Sequence, residues 1–156
     1  MRYLTLLAAL TIMATASTAS AQATYDLRGT WELVAGRWGD NINGKDMKVT
    51  MVANGTHFTT TGRNGAPPAT LRTVADTLAA YRSQWAESGR YTIRGSSYIE
   101  YVDFHTDPNE QGRESTLDCR AAGDRIFMSG MAPRMKEGKK VGELRAEGEW
   151  RRVGRP

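Results

Sequence analysis

Eight stretches of alternating apolar and polar residues run from residue 29 to residue 153, and every other connection between them is a tight turn. Alternation of period two puts successive side chains on opposite faces of a strand. Short turns that alternate with long connections carry the chain up and down between two ends, one closed and one open. The sequence therefore predicts an all-β domain, an eight-stranded antiparallel up-and-down barrel with a floor and a mouth.

The expected strands cover 29–37, 46–53, 56–61, 89–94, 97–105, 113–120, 124–131 and 142–153. Trp31, Leu33 and Ala35 share a face of the first, and Met47, Val49, Met51 and Ala53 a face of the second. Asn54-Gly55 reads as a two-residue type I′ turn, since both residues tolerate positive φ. That register pairs Ala53 with Thr56 and Met51 with Phe58, and turns His57 outward. Gly95-Ser96 suits a type II′ turn that gathers Tyr91, Ile93, Tyr98, Glu100, Val102 and Phe104 on one face. A turn at 121–123 directs Leu117, Cys119, Ile126 and Met128 inward. Long connections at 36–45, 62–88, 106–112 and 132–141 then fall together at the mouth. One helix interrupts the strands, between the third and fourth. Leu71, Val74, Leu78, Tyr81 and Trp85 recur at helical spacing after a Thr70 cap, with Gly89 as the stop, either packed on the barrel or covering the mouth.

Residues 1–21 have the form of a cleaved secretory signal: Arg2, an apolar run over 4–16, and small residues at Ala19-Ser20-Ala21. The run is shorter than the roughly 20 residues that cross a bilayer, so no integral membrane segment is expected after cleavage. The domain is expected to be 22–156, in the periplasm or secreted. Cys119 is the only cysteine, which excludes an internal disulfide. The formal net charge of +4 reflects basic residues near the end of the chain, but Glu137, Glu143, Glu147 and Glu149 interleave with them. That mixture describes a solvated face and not a nucleic-acid site.

Two histidines and one cysteine on separate strands have no metal-site spacing. No phosphate loop, dinucleotide fingerprint or nucleophile elbow is present, and nothing calls for a cofactor or metal. The inward residues Met51, Phe58, Tyr91, Tyr98, Glu100, Phe104, Arg113, Leu117 and Met128 are the candidate ligand-binding set, and the oligomeric state is open. A carboxylate at Glu100 would be desolvated, with Tyr91 as its cross-strand neighbour; the two are acid–base candidates if the protein is an enzyme. Glu100 could equally be satisfied by an internal partner such as Arg113. A bulge would reverse the faces and bring Tyr101, Asp103 and His105 inward.

The segments 27–34, 88–93 and 123–128, with the terminal Trp150-Arg151-Arg152, resemble the lipocalins, and the chain is similar to the bacterial lipocalin-like domain proteins. The Gly29-Thr30-Trp31 opening carries the resemblance. It implies that Trp31 packs across the floor with Arg152 against it, a contact of about 0.5 to 2 kcal/mol. It also implies a carrier of a small apolar or amphipathic molecule held in the lumen. Two other readings stay open: an isomerase, cyclase or other acid–base enzyme of the lumen, and a periplasmic protein-binding or inhibitor module with a filled lumen.

Overall fold

The computed structural model describes residues 25–42, 47–66 and 68–154. The expected signal at 1–21 lies outside them. Nine strands follow one another: β1 Gly29–Trp38, β2 Asn41–Ile42, β3 Lys48–Ala53, β4 His57–Arg63, β5 Gln84–Arg94, β6 Ser97–His105, β7 Glu114–Ala122, β8 Arg125–Lys136 and β9 Lys139–Gly154. β2 is a two-residue strand that folds back antiparallel on the end of β1, and the other eight form an antiparallel sheet that closes where β1 pairs with β9. One helix, α1 Val74–Arg82, joins β4 to β5, between the third and fourth barrel strands. The expected architecture is present.

Inside the wall, Met51, Phe58, Tyr91, Tyr98, Val102, Leu117, Cys119, Ile126 and Met128 form one buried cluster. At the floor Trp31 is 1% exposed; its indole N–H donates to the Leu27 carbonyl at 2.8 Å, and the Arg152 guanidinium lies 4.2 Å from its ring centre. Arg152 also donates to the carbonyls of Asp26, at 2.8 Å, and Arg28. Charged residues such as Glu32, Arg90, Glu114, Asp118 and Arg151 are exposed on the outer wall, whereas a lipid-facing barrel carries an apolar band there. Among the described residues no helix is long and apolar enough to cross a membrane.

The turns depart from expectation in ways that preserve the faces. Ala53 pairs with Phe58, so residues 54–57 form a four-residue loop and the register slips by two. The Asn54 side chain accepts from the backbone N–H groups of Thr56 and His57, which holds the loop open. A slip of two is invisible to the alternation; Met51 and Phe58 stay inside and His57 outside. The expected turn at 121–123 tightens to Gly123-Asp124, with Ala122 opposite Arg125. The loop expected at 132–141 is instead a long hairpin. Lys136 pairs with Lys139 across Glu137-Gly138, both at positive φ as a type I′ turn requires.

The helix is also corrected. It is capped by Thr73, in a reciprocal box with Asp76, and ends at Ser83. Its stripe is uncovered: Val74 is 78% and Tyr81 71% exposed. Trp85 belongs to β5, where Trp85, Glu87, Gly89 and Tyr91 alternate along a strand that begins five residues earlier than expected.

Two bulges reorganise the mouth. On β1, Leu33 faces Trp150 and Ala35 faces Glu149, so Val34 is the extra residue. Ala35 therefore turns outward, against expectation, and Trp38 becomes partly buried against the core. On β6, Val102 faces Gly89 and Phe104 faces Ser88, so Asp103 is extra. Phe104, expected inside, is 53% exposed, and His105 takes the inward position. Asp103 remains outside in an ion pair with Arg90 at 3.0 Å. Gly89 permits this bulge, since a Cβ there would stand 1.9 Å from the Tyr101 carbonyl oxygen. Gly89→Ala is expected to cost at least about 2 kcal/mol, through overpacking against backbone; urea unfolding at neutral pH checks it, and an unchanged midpoint would refute the role.

Candidate functional site: a charged ledge in an open lumen

The barrel is not filled by its own side chains. A cavity of about 1520 Å³ opens at the mouth and descends to Met51, Leu117 and Met128, with Leu33, Val49, Tyr98, Ala146 and Trp150 also on its walls. Gly62 leaves room for Trp85, whose indole carbons would lie 2.2 to 2.4 Å from any Cβ there.

Of the expected ligand-binding residues, Met51, Tyr98, Glu100, Arg113, Leu117 and Met128 line this cavity. Phe58 and Tyr91 pack beneath it: the Tyr91 ring lies 5.5 Å from that of Tyr98, and its hydroxyl accepts from the Gly55 N–H at 3.0 Å in the floor loop. Tyr91 thus stands opposite Glu100 in register while its polar end points to the floor. Phe104 is on the outer wall.

The polar groups of the lumen converge on Arg113. It sits just before β7 and is 3% exposed. One terminal nitrogen donates to Glu87 at 2.8 Å and to Glu100 at 3.2 Å, the other to Glu110 at 2.8 Å. Its guanidinium stacks 4.6 Å from the ring centre of Trp38, which reaches it from β1 on a non-neighbouring part of the wall. The internal pairing of Glu100 with Arg113, one of the expected alternatives, is therefore present. His105 faces the same group: its Nδ1 accepts from the Asp107 N–H at 2.8 Å, so a neutral ring carries its proton on Nε2, 3.9 Å from Glu87 Oε2. The Trp85 and His105 rings lie 6.2 Å apart, nearly parallel.

Three carboxylates around one guanidinium cannot all be neutralised. Burial, reinforced by the charge of Glu87 and opposed by Arg113, pushes the Glu100 carboxyl up to about 7. Burial raises Glu87 as well. Burial and the nearby Arg113 lower His105, and burial followed by the charge of Glu100 raises Tyr98 well above the ordinary phenol range. Among the described residues no group of His, Cys, Asp or Glu is gathered as a metal would require.

Glu87, Glu110, Trp38 and Trp85 were not legible as site residues. Period-two spacing of Trp85, Glu87, Gly89 and Tyr91 would have revealed Glu87, but the helical stripe ending at Trp85 overlaps it. No family model, curated protein or solved structure matches the chain.

The raised Glu100 carboxyl has a consequence for stability. The unfolded chain loses this proton near the ordinary glutamate value and the folded chain keeps it to about 7. Folded protein therefore binds more protons between those limits, and stability falls as pH rises through them, by on the order of 3 kcal/mol from this group. The lowered His105 contributes the opposite slope, below its ordinary value. Urea unfolding between pH 5 and pH 8 is expected to show a decline that Glu100→Gln makes shallower, the raised Glu87 supplying the remainder; equal slopes in both proteins would contradict it. Arg113→Met leaves three carboxylates without their cation and is expected to cost about 3 to 5 kcal/mol at pH 8, and less at pH 5 where protons replace it.

Proposed function

We propose that this chain is an exported lipocalin-like protein that carries a small amphipathic molecule in its barrel lumen, in the periplasm or outside the cell. The observation that carries the reading is the open cavity, apolar at its base and polar at the Arg113 ledge, which is the usual construction of a small-molecule site. Methionines at 51 and 128 adapt to an irregular tail, and the wall is rigid because each of the eight barrel strands is paired on both sides. The lipocalin resemblance of the Gly29 to Trp31 segment, with Arg152 stacked on Trp31, supports the same reading.

A second reading draws on Glu100, a carboxyl that titrates near neutrality on the wall of the cavity and suits acid–base chemistry on a bound substrate. The two are separated by a molecule recovered with the protein: a carrier returns it unchanged, whereas an enzyme converts it and Glu100→Gln stops the conversion.

Native mass spectrometry of gently purified protein is expected to show a retained small molecule. Ala146 lies on the cavity wall, so Ala146→Phe is expected to reduce retention at least about ten-fold by filling the lumen, with strand content by circular dichroism preserved. Retention that survives this substitution would place the ligand elsewhere.

A further inference from the structure

The charge of the cavity runs against that of the chain. Three carboxylates on it, from Glu87, Glu100 and Glu110, converge on one buried guanidinium, that of Arg113. With His105 neutral and all three carboxylates ionised, this cluster carries −2, in a chain whose formal charge is +4. A surface of mixed charge does not sort its acids into one concavity by packing alone, and such a lining concentrates cations.

The innermost part of this lining is built and incompletely satisfied. Arg113 is the single cation shared by Glu87, Glu100 and Glu110. Across the β6–β7 ladder from Glu100, the Ser115 hydroxyl is 1% exposed and favours the charged form of that carboxyl. Ser115 shares the inward face of its strand with Arg113 and Leu117, both of which line the cavity. Trp38 and Trp85 line the cavity beside these carboxylates, Trp38 with Arg113 over its ring and Trp85 stacked near His105. The two terminal nitrogens of the deepest guanidinium are already engaged by three carboxylates, and only its buried Nε is without a partner among the described residues.

Resting on the lumen-binding reading above, we propose that the ligand is a cationic amphiphile, its ammonium or guanidinium head on the Glu87–Glu100 ledge and its apolar tail against Met51, Leu117 and Met128. The head supplies the second positive charge that the ledge lacks. In the empty lumen a proton on Glu100 fills that need, so binding expels the proton and tightens as pH rises. The groups around Glu100 are Glu87 and Tyr91 from β5, Tyr98 from β6, Ser115 from β7 and Arg113, with His105 against Glu87 and Glu110 against Arg113. Tyr98 is raised and His105 lowered, away from neutrality on either side, so the carboxylates set the response.

The test uses the folded chain and three probes with the same ten-carbon tail, each below its micellar concentration: decyltrimethylammonium, decanol and decyl sulfate. Isothermal titration is expected to give decyltrimethylammonium an affinity about ten-fold above the other two at pH 8, a preference that shrinks at pH 6. In Glu100→Gln and, independently, in Glu87→Gln, the ratio of cationic to neutral affinity is expected to fall toward unity. Decanol or decyl sulfate binding as well as the ammonium would overturn the cationic headgroup while leaving the lumen-binding reading in place. So would a preference that survives both substitutions. Binding of none of the three would overturn both.

Discussion

Pairing of β1 with β9 is the constraint on which the molecule depends. A sheet of eight strands with free edges would expose two rows of backbone donors and acceptors; closure satisfies them and forces every second side chain toward one axis. The stack of Arg152 on Trp31 stands at that seam, and Arg152 also holds the carbonyls of Asp26 and Arg28 there. Once the ring is closed, the composition of the inward face decides whether the middle is solid or hollow. The small side chain of Ala146 on β9 leaves room at the cavity wall, while the absent side chain of Gly148 makes room for the Trp150 indole.

The second determinant is the pair of bulges. Each inserts one residue, Val34 or Asp103, and each reverses the mouth half of a strand. Without them Ala35 and Phe104 would point inward and Trp38 and His105 outward, and Glu100 and Arg113 would lack the indole and imidazole beside them. With them, an indole and an imidazole face Arg113 and its carboxylates. The aromatic surround of the polar ledge is thus a product of backbone irregularity laid on a regular wall, held in place on the β5 side by the absence of a side chain at Gly89.

Most of the barrel could be read from residue order because alternation is a property of each strand alone. Floor and mouth, the inward set from Met51 to Met128, and the opposition of Tyr91 and Glu100 all follow from period two and turn chemistry. The errors occur where more than one local pattern fits or where a pattern leaves no mark. Leu71 to Trp85 fits a helix, yet the last member of that stripe is the first inward residue of a strand. Glu137-Gly138 closes a hairpin with a residue pair less typical than Asn-Gly, so a long connection was the natural expectation. A bulge adds one residue of no special type at Val34 or Asp103. Glu110 joins the site from a loop, where no periodicity exists to place it.

The floor has one more consequence, for how the molecule is held. Arg152 fastens the segment before β1 to the end of β9, so both described termini, at Tyr25 and Gly154, emerge beside the closed base. A tether, fusion or surface attachment through either terminus presents the opening to the bulk, with α1 and the Glu137-Gly138 hairpin outermost. The geometry makes the barrel a cup with its handle underneath.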